Sequence, residues 1–132
     1  RVQARFGSPV CGSMGRVLDL GCGVGLAAEA LARLGHDVLG LDAAAETIAV
    51  ARAHADGQGL PLSYRVGTAE DLVAEGLRFP VVTALEVIEH VADPAAFLHL
   101  LGHLVEPGGL LFPGGGQGGC GVAAAAAAGG HA

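Results

Sequence analysis

Residues 16–26 read RVLDLGCGVGL. Arg16 to Leu20 is a short apolar run of strand length, and it stops at Gly21. Gly21-Cys22-Gly23-Val24-Gly25 is then a glycine-rich turn, and a helical pattern begins at Leu26. Glycines at a strand-to-helix turn let a ligand approach the backbone closely. The helix start offers free N–H groups to an anionic or polar ligand. On the downstream side, residues 37–41 (DVLGL) form a second apolar run ending at Asp42, twenty-one residues after Gly21. An acid at that position accepts from the two hydroxyls of a ribose. The stretch therefore predicts a nucleotide-binding βαβ unit. The bland alternative is a tight turn that needs glycine for packing alone.

Further out, the strand and helix signals keep alternating. Leu26, Ala27, Ala30, Leu31 and Leu34 are predicted to share the inner face of the first helix, with Gly35 ending it. Ala43 to Ala55 is a second helix, rich in good helix formers. Leu62 to Val66 is a third strand, followed by an acidic turn at Glu70-Asp71. Pro80 to Leu85 is a fourth strand, with proline at its first position. Asp93-Pro94 starts another helix, with Asp as N-cap and Pro at N1. Phe97, Leu98, Leu101, Leu104 and Val105 are expected to face inward from it. Pro107-Gly108-Gly109 is expected to end it, and Leu110 to Phe112 to form a fifth strand. This alternation predicts an α/β fold built on a parallel sheet.

Composition narrows the classes. The chain has 132 residues, 52% hydrophobic and 15% charged, which excludes global disorder. Its net charge is −6 with no lysine, so it lacks the basic patch a nucleic-acid binder needs. No apolar stretch reaches the ~18 residues of a spanning helix. Cys11, Cys22 and Cys120 form no CxxC pair, which fits a reducing compartment. The chain begins at Arg1 rather than Met, so it reads as a fragment or a processed product. Residues 113–132 hold 8 glycines and 7 alanines, with almost nothing to bury. Three segments follow: a remnant over 1–15, the core over 16–112, and a Gly/Ala-rich disordered tail over 113–132.

A second constellation follows the fourth strand: Leu85-Glu86-Val87-Ile88-Glu89-His90. On a helical turn, Glu86, Glu89 and His90 stand at i, i+3 and i+4 and share a face. Two carboxylates and an imidazole can ligate a divalent cation. The same groups can act as a general base and its orienters, or simply form a solvated acidic helix start. Asp19 is either a core-edge carboxylate satisfied by backbone N–H groups or the group that orients a ligand's ammonium. Cys22 reads as a small turn residue, since no base or cation adjoins it. Glu70 and Asp71 either reach an adenine amino group or cap the next helix. His36 and His54 sit at element ends, and His99 and His103 lie on a polar face.

The fingerprint of a dinucleotide oxidoreductase, GxGxxG, would need glycine where Leu26 stands. An acid two residues before GxGxG, here Asp19, is instead the pattern of S-adenosylmethionine-dependent methyltransferases. VLDLGCGVG, GLD, GTAEDL, VVTALEVIEHVADP and LVEPGGLLF together resemble the ubiquinone-biosynthesis O-methyltransferases, over about residues 16–112. The resemblance implies a Rossmann-like class I methyltransferase fold, a three-layer sandwich, here without its C-terminal strands. Pro113 and the Gly/Ala tract stand where the family continues. It implies S-adenosylmethionine contacts at Gly21, Asp42 and Leu85, joined by Gly23 and Asp19 of the loop motif, and by Arg1 from an upstream helix. It implies Mg²⁺ on Glu86, Glu89 and His90; if no metal binds, His90 with Glu89 is the alternative catalytic pair. Pro80 and Thr68 depart from the family pattern, each standing where an acid is usual.

The implied reaction is SN2 methyl transfer to a catechol oxygen of a lipophilic polyprenyl quinone precursor. The implied partners are that substrate and, peripherally, a membrane or a biosynthetic complex, with no nucleic acid. A eukaryotic member would sit on the matrix side of the mitochondrial inner membrane, a bacterial one in the cytoplasm. Alternatives are a class I methyltransferase for another small molecule, and a non-catalytic cofactor-binding truncation product.

Overall fold

A computed structural model describes residues 15–85, 87 and 91–113. Nine elements alternate along the chain: β1 (Arg16–Leu20), α1 (Leu26–Arg33), β2 (Asp37–Asp42), α2 (Ala45–Ala55), β3 (Leu62–Val66), α3 (Ala69–Ala74), β4 (Phe79–Thr83), α4 (Pro94–Gly102) and β5 (Val105–Phe112). The strands form one sheet in the order β3-β2-β1-β4-β5, with every neighbouring pair parallel. This is the expected α/β architecture. The order reverses between β1 and β4, which creates a crevice at their carboxyl ends.

Alternation along each strand sorts the core into two layers. Val17, Val38, Tyr64 and Val81 face α1 and α2, meeting Ala28, Ala32, Ile48 and Ala51. Leu18, Leu20, Leu39, Leu41 and Val82 face α3 and α4, meeting Leu72 and Leu101. Strands covered on both faces read as unbroken apolar runs.

Four sequence expectations change. The inner face of α1 is Ala28, Glu29 and Ala32, while Leu26 and Leu34 are 73% and 74% exposed. Small side chains bring α1 close to the sheet; Leu31 still packs against this core as expected, while Leu26 and Leu34 are left at the helix ends. The acidic turn after β3 is a helix, α3, started by a Thr68 capping box. On α4, Leu98 is exposed, and Val105 belongs to β5 rather than to the helix. Finally, Pro107-Gly108-Gly109 lies inside β5. The register jumps from Phe79↔Val105 to Val81↔Leu110, so these residues form a bulge. Pro80 sits opposite the bulge, where a missing N–H is tolerated. A Cβ on Gly109 would lie 2.5 Å from the Pro80 carbonyl oxygen, which explains the glycine.

Candidate functional site

The carboxyl ends of β1, β2 and β4 meet at one edge, and the glycine loop Gly21–Gly25 lies across it. Its start is fixed by backbone: the Gly21 and Cys22 N–H groups both donate to the Leu41 carbonyl, at 2.7 and 3.0 Å. Its middle is fixed by a side chain. The Gly23 N–H donates to Asp42 Oδ2 at 3.0 Å, and the Ala44 N–H donates to Asp42 Oδ1 at 3.0 Å. Asp42 therefore ties the loop to the first residue before α2. Each of its oxygens accepts one N–H and keeps further acceptor capacity.

The loop glycines have different reasons. A Cβ on Gly21 would fall 2.3 Å from Val87 Cγ2, and one on Gly25 would fall 2.2 Å from the Tyr64 hydroxyl. Those two positions are explained by packing. Gly23 has φ +58°, yet a Cβ there would meet nothing within 4 Å. At Gly23 the backbone is thus open to whatever lies at the edge, as a ligand-facing turn requires.

Asp19 lies beneath the loop, 2% exposed. Its partner is a hydroxyl and not the backbone: Thr83 Oγ1 donates to Asp19 Oδ1 at 2.8 Å. Asp19 Oδ2 is buried without a partner. Burial pushes the Asp19 carboxyl up to about 6, against the opposing pull of the Thr83 hydrogen bond. Burial, followed by the charges of Asp19 and Asp42, pushes the Cys22 thiol up to about 12. That makes Cys22 an inert turn residue rather than a nucleophile.

Leu85, exposed by 39%, follows β4 at the same edge. Val87 turns inward onto the core and against Gly21. Gly21, Gly23, Asp19, Asp42 and Leu85 are therefore brought to one edge. Arg1, Glu86, Glu89 and His90 lie outside the described residues, as does the tail beyond Pro113. Asp71 is a capping residue: its N–H donates to Thr68 Oγ1 at 3.2 Å, and its Oδ2 accepts the Thr68 N–H at 2.9 Å. His99 and His103 stack edge to face with centroids 5.0 Å apart. Among the described residues no group of three or more metal-ligating side chains occurs.

Sequence reasoning missed Thr83 and Tyr64. Their signal was weak: Thr83 is a single hydroxyl at the end of apolar β4, and Tyr64 sits in the middle of the mixed run of β3. It also missed Glu29, which the inverted face of α1 hides. A cavity of about 670 Å³ lies at the starts of β1, β4 and β5, lined by Arg16, Arg65, Arg78 and Glu106 among others. Its arginines are committed, Arg16 to Ser63, Arg65 to Glu75 and Arg78 to the Val105 carbonyl. Open α/β sheets bind ligands at the opposite edge.

Residues 18–112 match the model of a family described as a methyltransferase domain. The chain belongs to this methyltransferase family. The domain is 57% identical over 96 residues to a ubiquinone biosynthesis O-methyltransferase of Cereibacter sphaeroides, covering 73% of this chain and 39% of that protein. It is 53% identical over 96 residues to the protein of the same name from Azorhizobium caulinodans, covering 73% and 38%. The chain thus spans about two fifths of the length of the curated relatives it matches. Among solved structures, one from work on converting a disulfide into a thioacetal during echinomycin biosynthesis superposes with TM-score 0.66 and 37% identity. That match covers 74% of this chain and 42% of the other. The [4+2]-cyclase SpnF superposes with TM-score 0.65 and 25% identity, covering 74% and 37%. A cyclase among the structural neighbours means that the methyltransferase fold does not by itself name the reaction.

Proposed function

We propose that this chain is the S-adenosylmethionine-binding part of an O-methyltransferase acting on a catechol-type polyprenyl precursor of ubiquinone. The observation that carries the cofactor reading is Asp42, which holds the Gly23 N–H at 3.0 Å and draws loop and acid together at the crevice. The names of relatives at 50–57% identity support the acceptor class.

The cofactor, when bound, supplies an electrophilic methyl group on a sulfonium. Gly21, Gly23 and Leu85 would line its path along the edge. Asp42 would accept hydrogen bonds from the ribose hydroxyls with its remaining lone pairs. Asp19, with Oδ2 unpartnered, is the buried carboxylate available to an ammonium beneath the loop. At the acceptor, a phenol near pKa ~10 is a poor nucleophile at neutral pH. Where no metal binds, His90, oriented by Glu89, is the base for that proton on sequence grounds. Mg²⁺, which would lower the phenol's pKa, would be held by Glu86, Glu89 and His90, a reading supported by their spacing and by the resemblance. The cited relatives are bacterial, which supports action in the cytoplasm. A eukaryotic counterpart would act at the mitochondrial inner membrane. No described helix is long and apolar enough to cross a membrane, and the lipophilic acceptor supports a peripheral encounter with one.

Calorimetric titration of S-adenosylhomocysteine into the chain tests the reading. Saturable binding is expected, and Asp42→Ala is expected to weaken it at least ~100-fold, the loss of roughly 2.7 kcal/mol. Equal affinity in the two proteins would remove the cofactor assignment.

A further inference from the structure

Glu29 is a carboxylate between two helices, 2% exposed and covered by Arg33 and His54. Three residues close a ring with it. Arg33 Nη2 donates to Glu29 Oε1 at 3.0 Å and to Gln58 Oε1 at 2.9 Å. Gln58 Nε2 donates to the His54 carbonyl at 2.7 Å, and His54 Nδ1 lies 2.6 Å from Glu29 Oε2. A carboxylate only accepts, so Nδ1 carries the proton of that bond. The ring joins α1 to the last turn of α2 and the loop after it.

Its position relative to the cofactor edge gives it meaning. The Glu29 backbone N–H makes the first helical bond of α1, to the Gly25 carbonyl at 2.8 Å, so its side chain stands one turn from the end of the glycine loop. Helix α2 begins directly after Ala44, whose N–H is held by Asp42. The loop hangs from α1 and the acid from the start of α2, so the spacing of these helices sets the spacing of the two halves of the cradle. Arg33 and His54 are themselves 53% and 61% exposed, and ion pairs with exposed partners contribute little to stability.

We propose that Glu29, through its ring with His54, Arg33 and Gln58, is a positioning residue that sets the Gly21–Gly25 loop against Asp42 for cofactor binding. The proposal rests on the cofactor reading above. Three chains decide it: the wild type, Glu29→Gln, and the apolar pair Glu29→Leu with His54→Leu. Each is measured for S-adenosylhomocysteine affinity by calorimetry, for Tm, and for hydrogen exchange at the Gly23 amide. The expected result is a roughly tenfold or larger loss of affinity in both variants. Gly23 exchange should speed up while β1 and β4 amides keep their protection. The apolar pair should melt at or above the wild-type temperature while binding worse, a split that a purely structural role does not produce. Unchanged affinity and Gly23 exchange in the folded apolar pair would overturn the proposal, even if Glu29→Gln failed to fold. Absence of binding in the wild type would sink the cofactor reading instead, and Gly23 exchange would still decide whether the ring orders the loop.

Discussion

Asp19 shows how a site residue can oppose stability. Its carboxyl is pushed up to about 6 from 3.8 by burial. A raised carboxyl stabilises the fold fully below the unfolded value, and this contribution is lost as pH rises through the folded value. At pH 7 the ionised, half-partnered Asp19 therefore costs on the order of 2–3 kcal/mol. Asp19→Asn should raise the urea midpoint at pH 7.5 and should flatten the gain that the wild type shows on acidification to pH 5. An unchanged midpoint at both pH values would mean that water already satisfies Oδ2. The same burial predicts that Cys22 resists iodoacetamide at pH 8 in the folded chain and reacts in denaturant. Peptide mapping of the modified cysteine would read this directly.

The β5 bulge is the element whose sequence signal misleads. Pro-Gly-Gly reads as a helix stop followed by a loop, because no ladder partner is visible in one dimension. In the sheet the same three residues let β5 slip past Pro80 and regain register at Leu110. Gly109 stands against backbone on two sides, 2.5 Å and 3.0 Å from the Pro80 and Glu106 carbonyl oxygens for an added Cβ. Neither oxygen belongs to a flexible side chain. Gly109→Ala should therefore cost about 1–3 kcal/mol, seen as a lowered Tm, by forcing a backbone shift. A neutral substitution would mean that β5 can relax away from β4. Helix α3 is a second such element: an acidic turn with two open readings in sequence, which the Thr68–Asp71 capping box resolves as a helix start.

At the scale of the molecule, two buried acids pull the pH profile in opposite directions. The hydrogen bond from His54, above all, holds the Glu29 carboxyl below its usual value of 4.5. That contribution is present above 4.5 and is lost as pH falls through the folded value. Asp19 acts in reverse, favouring the fold as pH drops from about 6 toward 3.8. Stability should thus peak on the acidic side of neutral and fall below the ordinary carboxylate range. Chemical denaturation across pH 3.5 to 8 would show the maximum, and a profile rising steadily to pH 8 would contradict it.

The sequence alone determined the βαβ frame, the glycine loop and Asp42 at the end of β2. Those features depend on local periodicity and on glycine at a turn, and both are written in consecutive residues. It left open how Asp19 is satisfied, and the structure answers with Thr83, sixty-four residues away and reached across parallel strands. It also assigned the inner face of α1 to leucines, because hydrophobicity alone does not report how closely a helix approaches a sheet. The small Ala28 and Ala32 take that face, and the buried Glu29 beside them meets His54 from α2. Which strands neighbour β1, where β5 bulges and what closes around Glu29 were decided by tertiary structure. Each depends on partners far apart in the chain, whose meeting is fixed by packing and by satisfying buried polar groups rather than by any local pattern.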